Sequence, residues 1–421
     1  MSAIAGAVAT DRPESGRDAA EPPAPAKGLT GRLAAGARRF GPALGTYGVV
    51  KLSGFLVFMW LLHFSGDYRK KPLGMGYGAR PWDVLGTWDA RSYMDIATNG
   101  YHPQVLPPHS GLAGVQMNTA AFFPLYPAVM RAVMECTGLG AYGAGVLVAV
   151  VSSFVAAAGI FAVTSLLGGA RAGVVAAGLW ALVPGSGVEW AVYSDSLYVA
   201  VAAWALYHLM RRHWITAGLL TLVSGFNRPT SAALIAAVGL AALIALFQRR
   251  DGVLRPLTAM LIAPWGFVGY LLWVGVKMHN LGGYFMIQRV WQHYFDYGHF
   301  TLHAIPEIMI GRYHYLWPFA LADMISLGCL IMLPILLVLL LRKRPPLALV
   351  VYTLLTIAST VLNQQIFANI PRYLLPAFPL LIPLAIGMRR LKWPSLATVL
   401  LVLGCAAGWY AGFVTFELGT P

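Results

Sequence analysis

The chain is short of charge. Of its 421 residues only 11% are Asp, Glu, Lys or Arg, where a soluble domain carries about 25%. That shortage excludes a soluble α/β domain, because the polar surface it needs is not there. Acids are scarcer than bases, 16 against 30, for a net charge of +14. Cysteine is nearly absent: Cys136, Cys329 and Cys405 stand far apart. They form no disulfide framework and no metal-ligand spacing. No early apolar core is followed by a cleavage site, so the start does not read as a signal peptide. What the chain does have is apolar residues, 58% of the total. They recur in long runs, which predicts an all-α polytopic membrane protein. In that setting the excess of Lys and Arg marks cytoplasmic loop ends. No basic stripe with nucleic-acid geometry accompanies it. Membrane lipid is an expected partner; nucleic acid is not.

Residues 1–40 are rich in Ala, Pro and charge ("ESGRDAAEPPAPAKG") and read as a disordered cytoplasmic tail. Residues 41–421 read as a single transmembrane domain. Apolar runs fall near 44–64, 142–167, 171–189, 194–210, 214–226, 229–247, 253–276, 323–341, 347–366, 372–388 and 394–415, which predicts about 11 transmembrane helices. Arg38-Arg39, Arg211-Arg212, Arg249-Arg250, Arg342-Lys343-Arg344 and Arg389-Arg390 then share one face. That face is the cytoplasm, so the N-terminus lies inside. The segment 119–138 is apolar but carries Pro124, Pro127, Arg131 and Glu135. It is therefore expected as an interfacial helix on the outer surface. The 214–226 and 229–247 runs are short and meet at "FNRPT"; they predict a hairpin that does not fully cross, or a tilted pair. Two outer loops result, 65–141 and 277–322. Beyond the tail, the acids gather in or near the outer face, with Asp251 the exception.

The first loop holds "GTWDARSYMDIATNGY". Tyr93, Ile96, Ala97 and Tyr101 recur at near-helical spacing, and Gly100 is a natural stop. Asp89 opens this helix, which suits an N-cap. It also suits a general base at the membrane–water boundary, beside Trp88. Both roles stand open. Asp195 in "YSDSLY" reads first as a helix-start residue. Arg228 in "FNRPTS" and Arg372 in "NIPRYLLP" border apolar runs, next to prolines that break helices. A charge there needs a partner or a polar cavity, and guanidinium is well shaped for phosphate. Lys51, inside the first run, is expected to snorkel to the inner surface. The second loop, "YFMIQRVWQHYFDYGHF", carries His293, His299 and aromatics, and His303 follows. Its histidine spacings are no metal signature.

Taken in order, "WDARSYMDIATNGY", "AFFPLYP", "YSDSLY", "NRPT" and "PRYLLPAFPL" resemble the GPI mannosyltransferase 2 family and its bacterial relatives. These are GT-C superfamily glycosyltransferases, and the resemblance covers roughly residues 80–380. It implies a GT-C-like bundle with interfacial helices in the first outer loop. It implies a polyprenyl-phosphate sugar donor, typically mannose, and inverting transfer at the outer face of the cell membrane. The family's loop acid maps to Asp89 as catalytic residue. Around it, Trp88, Arg91, Tyr93, Asp95, Asp195, Arg228, Arg372 and Tyr373 are the expected substrate-binding residues. Arg91-Ser92 replace the residues many members carry after the Trp-Asp pair. A lipid, glycan or protein acceptor stays open, as does a divalent metal. Two other readings remain: a transporter or flippase of lipid-linked sugars, and an inactive scaffold of the same fold. A transporter would show inverted repeats and mid-membrane charges, and neither is evident.

Overall fold

The computed structural model describes residues 29–69, 80–101, 118–249, 251–314 and 317–419. Residues 1–28 of the expected tail, parts of the first outer loop (70–79 and 102–117) and Arg250 lie outside the described residues. The chain divides into two units, 1–41 and 42–421. In the first, the described part is helical from Leu29, within the expected tail, and Arg39 lies over the Phe40 ring at 5.1 Å.

The described part is almost wholly helical. The helices run α1 (Leu29–Ser65), α2 (Asp89–Asn99), α3 (Leu125–Thr137), α4 (Ala141–Gly168), α5 (Ala170–Trp180) and α6 (Asp195–Met210). Then come α7 (Trp214–Gly225), α8 (Ser231–Gln248), α9 (Leu254–Ile262), α10 (Trp265–Lys277), α11 (Gly283–Val290) and α12 (His299–Met309). The last are α13 (Phe319–Leu341), α14 (Leu347–Val361), α15 (Ile370–Tyr373), α16 (Ile382–Met388) and α17 (Trp393–Ala407). A π-helical stretch, Gly408–Leu418, continues α17. The strands β1 (Tyr294–Phe295) and β2 (Asn363–Gln364) pair antiparallel, Tyr294 against Gln364. This short ladder ties the second large loop to the end of α14.

Helices occupy all the apolar runs, and the protein is a polytopic membrane protein. The expected number of crossings changes, however. Among the described residues six helices are long and apolar enough to cross a membrane. A seventh crossing is added if the pair Phe367–Tyr373 and Leu375–Met388, bent by 65°, counts as one broken span. Ala170–Trp180, Trp214–Gly225 and Leu347–Val361 are apolar but short, and a crossing needs about 20 residues. The run read as 171–189 stops at Trp180, ahead of Pro184 and Gly185, and the chain to Ser194 is irregular. Such backbone survives at depth only where protein satisfies it. Here Lys51 Nζ donates to Ser186 O at 2.7 Å, and Val192 N donates to Leu85 O at 3.1 Å.

The segment 119–138 forms α3 behind a short 3₁₀ turn. Tyr126, Pro127 and Met130 are buried on one side, while Arg131 and Glu135 pair at 3.2 Å on the exposed side. Its 13 residues are too few to cross. In the 214–247 pair only α8 reaches spanning length. Close helix contact depends on glycine where α1 meets the last helix. A Cβ on Gly408 would lie 2.0 Å from the Gly54 carbonyl oxygen, so only small residues let these backbones approach.

Candidate active site

Four charged side chains from four distant stretches meet at one place. The first is Asp89. Trp88, just before it, has φ 58° and ψ −126°. Positive φ is uncommon for a bulky residue and accompanies constrained functional turns. Thr87 pins this turn: its hydroxyl donates to Val84 O at 2.8 Å, and its carbonyl accepts from Tyr193 OH at 3.1 Å. Asp89 is not the N-cap. Trp88 holds that position, and no side chain caps α2. Instead Asp89 Oδ2 accepts from Arg372 Nη2 at 2.9 Å, with the carboxylate one-third exposed. One turn on, Tyr93 OH lies 2.8 Å from Ser194 Oγ. Burial pushes the Tyr93 phenol up to about 12, with Asp89 adding to the shift against Arg228, so it stays protonated.

Asp195 begins α6 but makes no cap bond either. It is 1% exposed and clamped by two guanidiniums: Arg228 pairs with it, and Arg372 Nη2 reaches it at 3.4 Å. Its reading as a helix-start residue is therefore incomplete; its charge organises the site. Arg372 sits in α15, at the bend of the broken helix, with its guanidinium carbon 4.5 Å from the Tyr193 ring centre. Gly185 allows this placement. A Cβ there would come within 2.3 Å of Arg372 N and Cα. Two carboxylates and two guanidiniums balance in charge. Its buried carboxylate, Asp195, is stable only while guanidinium stays beside it; Asp89, part-exposed, does not carry that cost.

The cluster opens on a cavity of about 260 Å³. Of the expected residues, Trp88, Asp89, Tyr93, Arg228, Arg372 and Tyr373 line it. Asp195 braces it from behind. Arg91 and Asp95 do not join it: both are exposed, and Asp95 accepts from Asn99 Nδ2 at 2.7 Å. The reason is helical. Asp89 and Tyr93 are four apart and share a face, and Arg91 and Asp95 share the opposite one. The substrate-binding role expected for Arg91 and Asp95 has no support in this placement.

Reasoning from sequence missed Asn227, Gln288, Trp291 and His293, which also line the cavity. Asn227 stands beside Arg228 in "NRPT", and its Nδ2 donates to Ser194 O at 3.3 Å. His293 was visible only as one of several loop histidines. The β1–β2 pairing sets it against Tyr373, ring centres 6.2 Å apart. Burial pushes its imidazole below the usual histidine range, against the opposing pull of Asp89. A second cavity of about 480 Å³ shares Arg228, His293 and Tyr373 and adds Arg289 and Asn363. An apolar groove of about 650 Å³ lies between α13 and the bent pair. Pro371 lines the groove and also a small pocket containing Arg372.

Lys51 corrects its expectation. It does not snorkel but is buried, 3.1 Å from Glu189 and 3.9 Å from the Trp190 ring centre. Among the described residues no group of three or more His, Cys, Asp or Glu could hold a metal ion.

No protein-family model matches the chain. No curated protein matches it either. Among the solved structures that are similar are two of one protein. One is ArnT from Cupriavidus metallidurans bound to undecaprenyl phosphate, 18% identical, covering 76% of this chain and 62% of that one, with a TM-score of 0.45. The other is the same protein in the apo state, 16% identical, covering 86% and 64%, with a TM-score of 0.48. The chain thus spans less than two thirds of ArnT's length. The likeness to GPI mannosyltransferase 2 rests on the quoted motifs alone.

Proposed function

We propose that the protein is an inverting membrane glycosyltransferase of GT-C type. It takes a sugar, mannose by the motif resemblance, from a polyprenyl-phosphate donor. The observation that carries this reading is Asp89: a carboxylate held by Arg372 on one oxygen, part-exposed, and facing a cavity that also presents Arg228.

Chemically, Asp89 takes the proton of the acceptor hydroxyl. The freed oxygen bonds to the anomeric carbon as the bond from that carbon to the phosphate oxygen breaks. Polyprenyl phosphate leaves with the electron pair. Arg228 and Arg372 meet its charge, and fixed guanidiniums do this without reorganising at the moment of reaction. The apolar groove beside Pro371 takes the prenyl chain. Asp195 cannot serve as base, because both arginines bind it and it is closed to solvent. The acceptor is a lipid, glycan or protein. The active face points away from the cytoplasm and the N-terminus toward it, in the cell membrane.

The test uses full-length protein in nanodiscs, polyprenyl-phosphate mannose labelled in the sugar, and a panel of acceptors. Wild type is expected to form a glycosylated product, and Asp89→Asn to lose it while still binding undecaprenyl phosphate. Transfer at the wild-type rate in Asp89→Asn would sink the reading. Movement of the labelled lipid between leaflets, unchanged in that variant, would establish a transporter instead.

A further inference from the structure

A third cavity, of about 320 Å³, adjoins the first; Trp291 and Ile366 line both. Its volume lies within the roughly 300–1,000 Å³ of small-molecule sites. Phe300, Tyr313 and Phe319 supply aromatic wall. Besides Gln292, Gln365 and Thr415, its polar lining holds a carboxylate–imidazole pair that the transfer chemistry does not use. Asp323, in the first turns of α13, is 1% exposed. Its Oδ2 lies 2.7 Å from His314 Nδ1, and the His314 side chain is half exposed.

On two residues of this wall, Asp323 Oδ1 and Trp291 Nε1 are buried and find no hydrogen-bond partner among the described residues. Buried polar atoms are normally satisfied, so each points to something that arrives with a ligand. Their chemistry narrows the ligand. A carboxylate oxygen accepts, whereas an indole N–H only donates. An ammonium group would suit Asp323 and leave Trp291 unmet. A phosphate would suit Trp291 and be repelled by Asp323. Hydroxyl groups both donate and accept, so a polyol satisfies the two together. The His314 pairing adds a further polar edge: with Nδ1 engaged by Asp323, Nε2 is left for a hydroxyl, which can both donate and accept. Aromatic faces then pack on the C–H faces of a sugar ring.

We propose that this cavity is the acceptor subsite and that it binds a neutral sugar ring of a glycan acceptor. In this arrangement Asp323 accepts from a ring hydroxyl, Trp291 donates to one and His314 pairs with another. The assignment rests on the glycosyltransferase reading for the word acceptor, but the binding chemistry stands by itself. The shared wall places a ring held here next to the cavity of Asp89.

The probe is methyl α-D-mannopyranoside, titrated without donor onto the full chain in nanodiscs. Saturation-transfer NMR and tryptophan fluorescence read its binding. Binding by wild type is expected, weakened at least tenfold in Asp323→Asn and several-fold in His314→Ala. Undecaprenyl phosphate affinity should stay within twofold in both. If Asp323→Asn does not fold, His314→Ala carries the test, since its side chain is half exposed. Equal glycoside affinity in the variants and wild type would overturn the assignment. So would absence of glycoside binding, or methylammonium or inorganic phosphate binding in its place. Loss of the transferase reading looks different: transfer persists in Asp89→Asn while glycoside binding is intact.

Discussion

Among the ion pairs that join distant parts of this chain, two differ in one respect. Lys51 and Glu189 lie 3.1 Å apart; Asp89 and Arg372 lie 2.9 Å apart. The first pair is sealed. Tyr47 OH donates to Glu189 at 2.6 Å, Lys51 donates to Ser186 O, and neither side chain exceeds 7% exposure. The second pair opens on a cavity, because Asp89 keeps one-third of its surface. A sealed pair is fully committed to the fold. An open one leaves a carboxylate oxygen available to a ligand. Burial and charge alone therefore do not mark chemistry here; access does. The sealed pair still serves the site indirectly, since it anchors the segment that carries Tyr193 and Ser194 and leads into Asp195 at the start of α6.

This contrast predicts opposite failures. The largest effect is expected for Asp89→Asn: transfer falls by about 10²- to 10⁴-fold, the usual worth of a general base. Its unfolding midpoint stays close to wild type, as labelled-sugar assays and thermal denaturation would show. Glu189→Ala should do the reverse. It leaves the Lys51 ammonium buried and unpaired, which costs about 3–5 kcal/mol, read as a lowered denaturation midpoint. If it instead left stability unchanged and removed only activity, the contrast between sealed and open pairs would fail. Arg228→Ala should weaken undecaprenyl phosphate binding by about tenfold or more, the worth of a charge-assisted contact of roughly 1.5–3 kcal/mol. Unchanged affinity would take Arg228 out of the phosphate site.

Smaller effects sharpen the picture. Burial pushes the His293 imidazole below the usual histidine range. Below its ordinary value of about 6.5, the unfolded chain binds a proton that the folded chain resists. Unfolding is then favoured, so stability falls as pH drops through that value. His293→Gln should make the denaturation midpoint less sensitive to acid; an unchanged slope would show that burial does not weaken the imidazole's hold on its proton. Arg91→Ala and Asp95→Ala should leave transfer within about twofold. A larger loss in either would mean that the exposed face of α2 also meets substrate.

Much of this was legible in the chain. Its apolar runs specified a helical membrane protein, since hydrocarbon leaves a backbone few other ways to satisfy itself. Asp89, Tyr93, Arg228, Arg372 and Tyr373 stood out as polar or aromatic groups beside apolar runs, and all line one cavity. Arg91 and Asp95 stood out equally and do not. Local spacing marks which residues share a helix face; only a partner element decides which face is inside. The irregular segment before Asp195 was hidden for a similar reason. An apolar run reads as a span whether its backbone bonds to itself or to Lys51 and Leu85.

Composition and hydrophobic run length by themselves determined that the chain lives in a membrane as helices, because those properties depend on transfer from water, residue by residue. The tertiary structure alone decided that Asp89 and Arg372, 283 positions apart, share a hydrogen bond. It likewise decided that Asp195 is clamped and that Lys51 is sealed. Charges so distant along the chain carry no local signal of each other; only packing brings them within the few ångströms where their interaction outweighs solvation.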